Sequence, residues 1–575
     1  MGLLKHLRSR TNLRNAHSPP APTFYQYQGR DYTRELPDKV LEAIFAYVCP
    51  HTQDFGYESS ERSQIGEGCM LCDLRDLASC AKQCKKWYAI AQRLLYTSVR
   101  IDAVHFCALE EELAEKRKKS VKHFRKNSSL VEPGEVPAAR LSLLCRTVRA
   151  NDQLAHQVLL LKLPYMTRET CKGDLARTVA ALPNLRYVDL PDEFFTGDPN
   201  CLPLRQEVQT NCPNIRRMSY KKGSEEYLQM LARPHWKRLE VLELQGLAVE
   251  PSIVRIVLAS LANLRSLTLS NLPWLDDEIF RDAGLPAFPP LQDLTLKVTP
   301  NVTAQGLVTY LETSRNRETL VRLSLEETGV LVTELNQVLW AASQLRHLSV
   351  QETVSKSLTL TMSQLPPLAS ISLKTLHYEI TSAEDVHSLQ KPAESYYAYL
   401  ISSLHQNALP GLQSVFVRDP NFAELLVLPA PPGEKAKAGP SGGMAQTLEV
   451  FSKGIDELEW VFSLIRPPPP SGNNGSTMNR GSMAGGRPLS AYSASRGLGP
   501  QWSHGGFGGE ARKSVVVGNG FGGFLAVPQE EMPRPRTADS SKSGSSRRSL
   551  STSFLKPPTE GFHHERRQSR HDLWR

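Results

Sequence analysis

One pattern organises the middle of the chain: apolar, two residues, apolar, one residue, apolar. It begins as VLLLKL at residue 158 and returns as LRYVDL at 185, IRRMSY at 215, LEVLEL at 239 and LRSLTL at 264. It continues as LQDLTL at 291, LVRLSL at 320, LRHLSV at 345, LASISL at 368 and LQSVFV at 412. Successive copies start 23 to 30 residues apart, except for a gap of 44 before the last. Each copy ends in the period-2 alternation of a short strand. Between copies lie helical patterns such as SIVRIVLASL (Ile253, Val257, Leu258, Leu261) and TELNQVLWAA (Leu335, Val338, Leu339, Ala342). A single strand and helix cannot bury their own apolar faces, whereas stacked copies share one continuous core.

The same alternation assigns directions. Glu243, Thr268, Lys297, Ser324, Glu326 and His347 occupy the polar positions of their strands and are expected to face a common open surface. The row is chemically mixed, with no acid–base pair, nucleophile set or metal cluster, and its expected use is to bind a protein partner. Residues 427–447 carry turn formers and lysines, so they read as a loop. After them TLEVFSKGIDELEWVFSLI resumes an apolar pattern through Leu448, Phe451, Leu458, Trp460 and Phe462, as a closing cap would.

Upstream, RELPDKVLEAIFAYVCP places Leu36, Val40, Leu41, Ile44, Phe45 and Val48 at three- and four-residue steps, one apolar stripe of a helix. Pro37 suits its first turn, where the missing N–H costs nothing. In LCDLRDLASCAKQCKKWYAIAQRLLYTSVRI the same step links Leu74, Leu77, Ala81, Cys84, Trp87/Tyr88, Ala91 and Leu94/Leu95. Cys80, Cys84 and Trp87 then share one helical face, and free cysteine behaves there as a small hydrophobe. Cys69 and Cys72 form a CxxC, and zinc needs four ligands. Cys49 or His51 are the nearby additions, but a second CxxC is missing, so the sequence points to a docking helix with no metal.

Charge and composition bound the ends. Residues 1–30 carry five basic side chains and no acid, and residues 467–575 carry 15 Lys/Arg against 7 Asp/Glu. Of the chain's net +9, residues 31–466 therefore hold −4, which argues against a nucleic-acid reader in the body of the chain. From Pro467 the composition turns to Pro, Gly, Ser and Arg, too poor in large aliphatics to fold alone. RPLS, RRSLS and RRQS in this tail make Ser490, Ser549, Ser551 and Ser569 candidates for phosphorylation by basophilic kinases. EKRKKSVKHFRK (115–126) reads either as a nuclear localisation signal or as a solvated helix face. No stretch reaches the length of a membrane span, and MGLLKHLRSRTNLR lacks the apolar core of a secretory signal. The ten cysteines are accordingly expected to be reduced, in the cytoplasm and/or nucleus. No Gly-rich phosphate loop, nucleophile elbow or paired metal motif is present, so an enzyme is not expected.

Two resemblances now become specific. LPDKVLEAIF, DLRDLASCAKQCKKWYAIA and LLYTSVRI together resemble an F-box, and the recurring LxxLxL units resemble degenerate leucine-rich repeats. In this order they are similar to a class of F-box proteins of filamentous fungi. The resemblance implies an α+β/solenoid architecture: an all-helical F-box, an α/β leucine-rich-repeat solenoid and a disordered tail. The expected boundaries are 1–30 for a basic disordered N-terminus and 31–102 for the F-box, with a loop insertion at 50–70. They continue with 103–150 for a helical, basic linker, 151–466 for the repeats and 467–575 for the tail. It also implies a substrate-recognition subunit of an SCF (Skp–cullin–F-box) ubiquitin ligase. Its partners would be a Skp-type adaptor, a cullin and a protein target, with no cofactor, membrane or nucleic acid. The implied adaptor contacts are Leu36, Pro37, Val40, Leu41, Ile44, Phe45, Leu74, Leu77, Cys84, Trp87 and Leu94. The chain departs from the repeat family where Asn or Cys usually follows the strand: Leu247, Leu272, Thr299, Thr328 and Thr353 stand there. Alternative readings are a leucine-rich-repeat scaffold outside any ligase and a zinc-dependent or nuclear regulator.

Overall fold

The computed structural model describes residues 35–467, except 64–67, 103–104, 106, 125–134, 234–235, 282–283, 359–364, 384–390, 429–445 and 454–459, together with residues 489–490, 514–518 and 524–528. The architecture is broadly α/β: helices accompany a large, mostly parallel sheet that does not close into a barrel. No helix among the described residues is long and apolar enough to cross a membrane.

Three helices open it, α1 (Asp38–Val48), α2 (Met70–Cys80) and α3 (Lys85–Thr97), each packed on the other two. The segment expected to run as one helix from Leu74 to Leu95 is therefore broken. Residues 81–83 form a turn closed by Lys82 N–H to Ser79 O and Gln83 N–H to Cys80 O, and Cys84 sits in extended backbone as the N-cap of α3. Cys80, Cys84 and Trp87 consequently share no helical face. The turn lets α3 fold back, and Trp87 meets Phe45 of α1 edge to face with ring centroids 5.1 Å apart. Two further helices, α4 (Ala108–Phe124) and α5 (Glu135–Ala150), follow. The stretch expected as a linker is thus partly core: Leu141, Leu144 and Val148 of α5 are buried, and Arg140 pairs with Glu110 of α4 at 2.7 Å.

The strands that follow obey the sequence period. β1 (Ser98–Arg100), β2 (Leu160–Lys162) and β3 (Tyr187–Val188) form a small parallel sheet. An 11-stranded sheet contains β4 (Arg217–Lys221), β5 (Val241–Gln245), β6 (Ser266–Ser270), β7 (Asp293–Thr299) and β8 (Arg322–Thr328). It goes on through β9 (His347–Val354), β10 (Thr375–Ser382), β11 (Ser414–Val417) and β12 (Leu448–Lys453). From β4 to β12 every strand pairs in parallel with the next in chain order. Arg216 N–H donates to Arg186 O, so the hydrogen bonding continues from the small sheet to the large one. β13 (Trp460–Ile465) and β14 (Leu489–Ser490) then add antiparallel at the edge. The apolar positions of successive strands, with Leu41, Phe45 and Leu77 of the helices, belong to a single buried core.

Two details were read differently from sequence. LASISL at 368 is not a strand: Ile371 is 84% exposed, and the strand begins at Thr375. The buried triple there is Leu373, Leu376 and Tyr378, the last position filled by an aromatic. In the tail, the expected disorder is interrupted by β14 and by an antiparallel pair, β15 (Ser514–Gly518) with β16 (Phe524–Pro528), whose SVVVG and FLAVP sequences are rich in β-formers. The remainder of residues 1–30 and of 467–575, with Ser549, Ser551 and Ser569, lies outside the described residues.

A repeated backbone device ends the strands. Gly246, Asn271, Val298 and Glu327 occupy equivalent positions and all have φ between 50° and 64°. This left-handed residue turns the chain inward, so that the next one, Leu247, Leu272 or Thr299, is buried.

Candidate functional site

The expected adaptor contacts divide by burial. Leu41, Phe45, Leu74, Leu77 and Leu94 are buried and hold the three helices together, so they offer no surface to a partner. Leu36, Cys84 and Trp87 are half-buried, Leu36 and Trp87 against the core. Pro37, Val40 and Ile44 are exposed, and Tyr47, absent from the sequence list, is 85% exposed. These four recur at steps of three, four and three, so they form one continuous apolar stripe along α1. The sequence stripe had merged two faces of this helix, since apolar residues cover both.

The segment 50–70 is not a free loop. Asp54 takes the Lys162 ammonium at 2.5 Å, and both side chains are almost wholly buried. Ser63 Oγ donates to Asp54 at 2.9 Å, Ser60 N–H donates to Asp189 at 3.0 Å, and Arg217 donates to the Tyr57 carbonyl. Burial raises the Asp189 carboxyl, against the hydrogen bonds from Tyr187, Leu163 and Ser60. The insertion is thereby fastened across the start of both sheets.

All six expected target-binding residues lie on the sheet face away from the core. Glu243, Thr268 and Ser324 fall in one cross-strand row, with Thr295 between the last two. Lys297 and Glu326 lie opposite each other in the next row and pair at 2.6 Å, while Glu243 is held by Arg217 at 2.6 Å. His347 is on the same face in a third row; burial, then Arg322, keeps its imidazole below the ordinary value. A cleft of about 270 Å³ at the β3–β5 end is lined by Arg62, Arg168, Asp192, Arg217, Lys221 and Glu243 among others.

Sequence reading missed the other end of this face. His377, Phe416 and Phe451 are consecutive across β10, β11 and β12 and stack in parallel, with centroids 4.0 and 4.4 Å apart. Trp460 meets Phe416 edge-on and Phe462 lies against Phe451. Phe451, expected in the cap's apolar pattern, is thus on the open face, whereas Leu448 and Val450 are buried; Leu458 lies outside the described residues. The signal was present: His377 and Phe416 fill the polar slot of their LxxLxL units.

A third feature is a cluster of three thiols. The Sγ atoms of Cys69, Cys72 and Cys107 all lie within 4.8 Å of one another. Cys69 is the N-cap of α2, Cys72 is in its first turn, and Cys107 directly precedes α4. Burial and the neighbouring Cys107 and Cys69 thiols push the Cys72 thiol up to about 12. Cys49 is not in the cluster; it is fully buried in the core. His51 instead faces Asp73 at 3.4 Å. Reading only for a second CxxC hid the HxC at 105–107.

No family model and no curated protein matches the chain. Among solved structures it is similar to a chain of the yeast Rad7–Elc1 complex, with 17% identity and a TM-score of 0.33, covering 55% of this chain and 90% of that one. A likeness of that size bears on neither fold nor activity.

Proposed function

We propose that this chain is a substrate-recognition subunit of an SCF-type ubiquitin ligase, its helical unit an F-box and its sheet the face of a leucine-rich-repeat solenoid. The observation that carries the reading is the stripe Pro37, Val40, Ile44 and Tyr47: an exposed apolar helix surface beside a unit whose interior is already filled. Such a stripe suits insertion into the apolar groove of a Skp-type adaptor, the helix-in-groove mode of recognition. Strands that succeed one another in chain order, about one repeat apart, support the solenoid reading. The open sheet face, polar and ion-paired at one end and aromatic at the other, would hold a protein target. The subunit's contribution would be proximity, raising the effective concentration of target lysines with no bond chemistry of its own. Its place of action would be the cytoplasm and/or nucleus.

The test is capture of the host's Skp-type adaptor and cullin by the full chain and by a Val40→Asp/Ile44→Asp variant. Both substitutions are on exposed positions, so the fold is retained. Capture by the wild type and its loss in the variant is the expected result. Capture by neither removes the ligase reading and leaves a scaffold.

A further inference from the structure

Two helix N-termini converge on the cysteine cluster. A second observation concerns a fourth side chain beside the sulfurs. His105, two residues before Cys107, is 9% exposed, and its Nδ1 lies 3.8 Å from Cys69 Sγ. Its Nε2 is buried and has no hydrogen-bond partner among the described residues. A buried imidazole with one nitrogen orphaned and the other against a sulfur at long range is poorly satisfied by protein groups alone.

We propose that Cys69, Cys72, His105 and Cys107 bind one zinc ion in a closed Cys3His site. Tetrahedral zinc with Zn–S of about 2.3 Å and Zn–N of about 2.0–2.1 Å sets sulfurs about 3.8 Å apart and sulfur and nitrogen about 3.6 Å apart. The Cys69–His105 separation of 3.8 Å is within a few tenths of that edge and the sulfurs need close by no more than about 1 Å from their 4.8 Å limit, while the His105 ring, which lies outside the 4.8 Å group of the three sulfurs, must swing towards Cys72 and Cys107. Three thiolates and one imidazole in this geometry are the donor set of zinc rather than of magnesium or calcium. With four protein ligands the site is structural. It ties the start of α2 to the start of α4, closing the chain between Cys72 and Cys107 and bracing the unit that carries the exposed stripe. Cys80, the last residue of α2, and Cys84, the N-cap of α3, take no part.

The experiment uses the full chain, purified under reducing conditions from zinc-replete cells without chelator. Elemental analysis is expected to give one zinc per chain. Exchange with cobalt(II) should produce thiolate-to-cobalt charge transfer and the intense ligand-field bands of a tetrahedral ion. Cys72→Ser and Cys107→Ser should abolish both signals, and His105→Ala should weaken metal retention against a chelator by about tenfold or more. Cys80→Ser and Cys84→Ser should retain a full equivalent. A wild-type chain that carries no zinc and takes up no cobalt with its thiols reduced overturns the site, as does a Cys69–Cys72 disulfide in the protein as isolated. Retention of full metal by Cys107→Ser overturns it too. The wild-type measurements do not depend on any variant folding, and far-UV circular dichroism separates metal loss from misfolding in the variants.

Discussion

Lys162 Nζ lies 2.5 Å from Asp54 Oδ2 across a sequence separation of 108 residues, with the lysine side chain wholly buried. Ser63 Oγ completes the arrangement, accepting from the ammonium at 3.0 Å and donating to the carboxylate. A buried pair of this kind contributes little over an apolar pair of the same shape, but removing one member strands the other charge. Asp54→Ala is therefore expected to destabilise the chain by about 3–5 kcal/mol. Asp54→Ala/Lys162→Met should recover most of that loss. Urea denaturation of the three proteins checks this, and a double variant no more stable than the single would sink it.

The contact of Phe45 with Trp87 makes the helical unit testable apart from any partner. Phe45 is 1% exposed and Leu41 is 1% exposed, so truncating either leaves a cavity between α1 and α3. Phe45→Ala should cost about 3–5 kcal/mol and Leu41→Ala about 2–5 kcal/mol. Ile44→Ala, at a position 44% exposed, should cost well under 1 kcal/mol. Denaturant melts followed by tryptophan fluorescence distinguish them; equal losses at Ile44 and Leu41 would show that the stripe is not on the surface.

These two relationships also show what was legible. The repeat period gave the parallel strands because each LxxLxL carries its own alternation, a local signal that survives degeneracy. It failed at 368 because LASISL satisfies the pattern by residue type while Ile371 faces solvent. Helix periodicity found α1 but not the break at 81–83, since apolar residues on either side of the turn happen to stay in phase. The cysteine cluster, the Asp54–Lys162 pair and the aromatic stack left at most partial local signals, for a different reason. Each joins residues distant in sequence or on neighbouring strands, and only the register of the sheets, the return of the 50–70 segment and the packing of α4 on α2 bring them together.

The left-handed turn that ends four repeats is another case where side-chain identity hides a common geometry. Val298, with φ 50°, is a β-branched residue in a region that glycine and asparagine tolerate best. Val298 is 47% exposed, so little packing is lost when it is replaced. Val298→Asn should stabilise the chain by about 1 kcal/mol, and the reverse change at the equivalent turn, Gly246→Val, should cost about 1–2 kcal/mol. Space is not the obstacle at Gly246, where an added Cβ would meet nothing closer than 3.6 Å. Shifts of the urea midpoint with unchanged slope are the readout; a neutral result at both sites would remove the turn as a source of strain.

Glu352, near the end of β9, supplies the pH dependence. Burial, and after it the charge of Glu327, raises its carboxyl from 4.5 to about 7, and its Oε2 has no hydrogen-bond partner among the described residues. Below pH 4.5 the group is protonated in both folded and unfolded chains and contributes nothing. Between 4.5 and about 7 the unfolded chain ionises while the folded one keeps its proton, so stability falls as pH rises. Above about 7 both forms are ionised and the loss stays at its full value, tempered by the partial exposure of the side chain. Glu352→Gln removes this contribution together with the repulsion between Glu352 and Glu327. The stability difference between variant and wild type should therefore be smallest near pH 4.5, grow in the variant's favour up to about pH 7 and then level off. Denaturation series at half-unit pH steps measure that difference directly, with the remaining titrating groups cancelling between the two chains. A difference that does not change with pH would mean that Glu352 keeps an ordinary carboxyl in the folded chain.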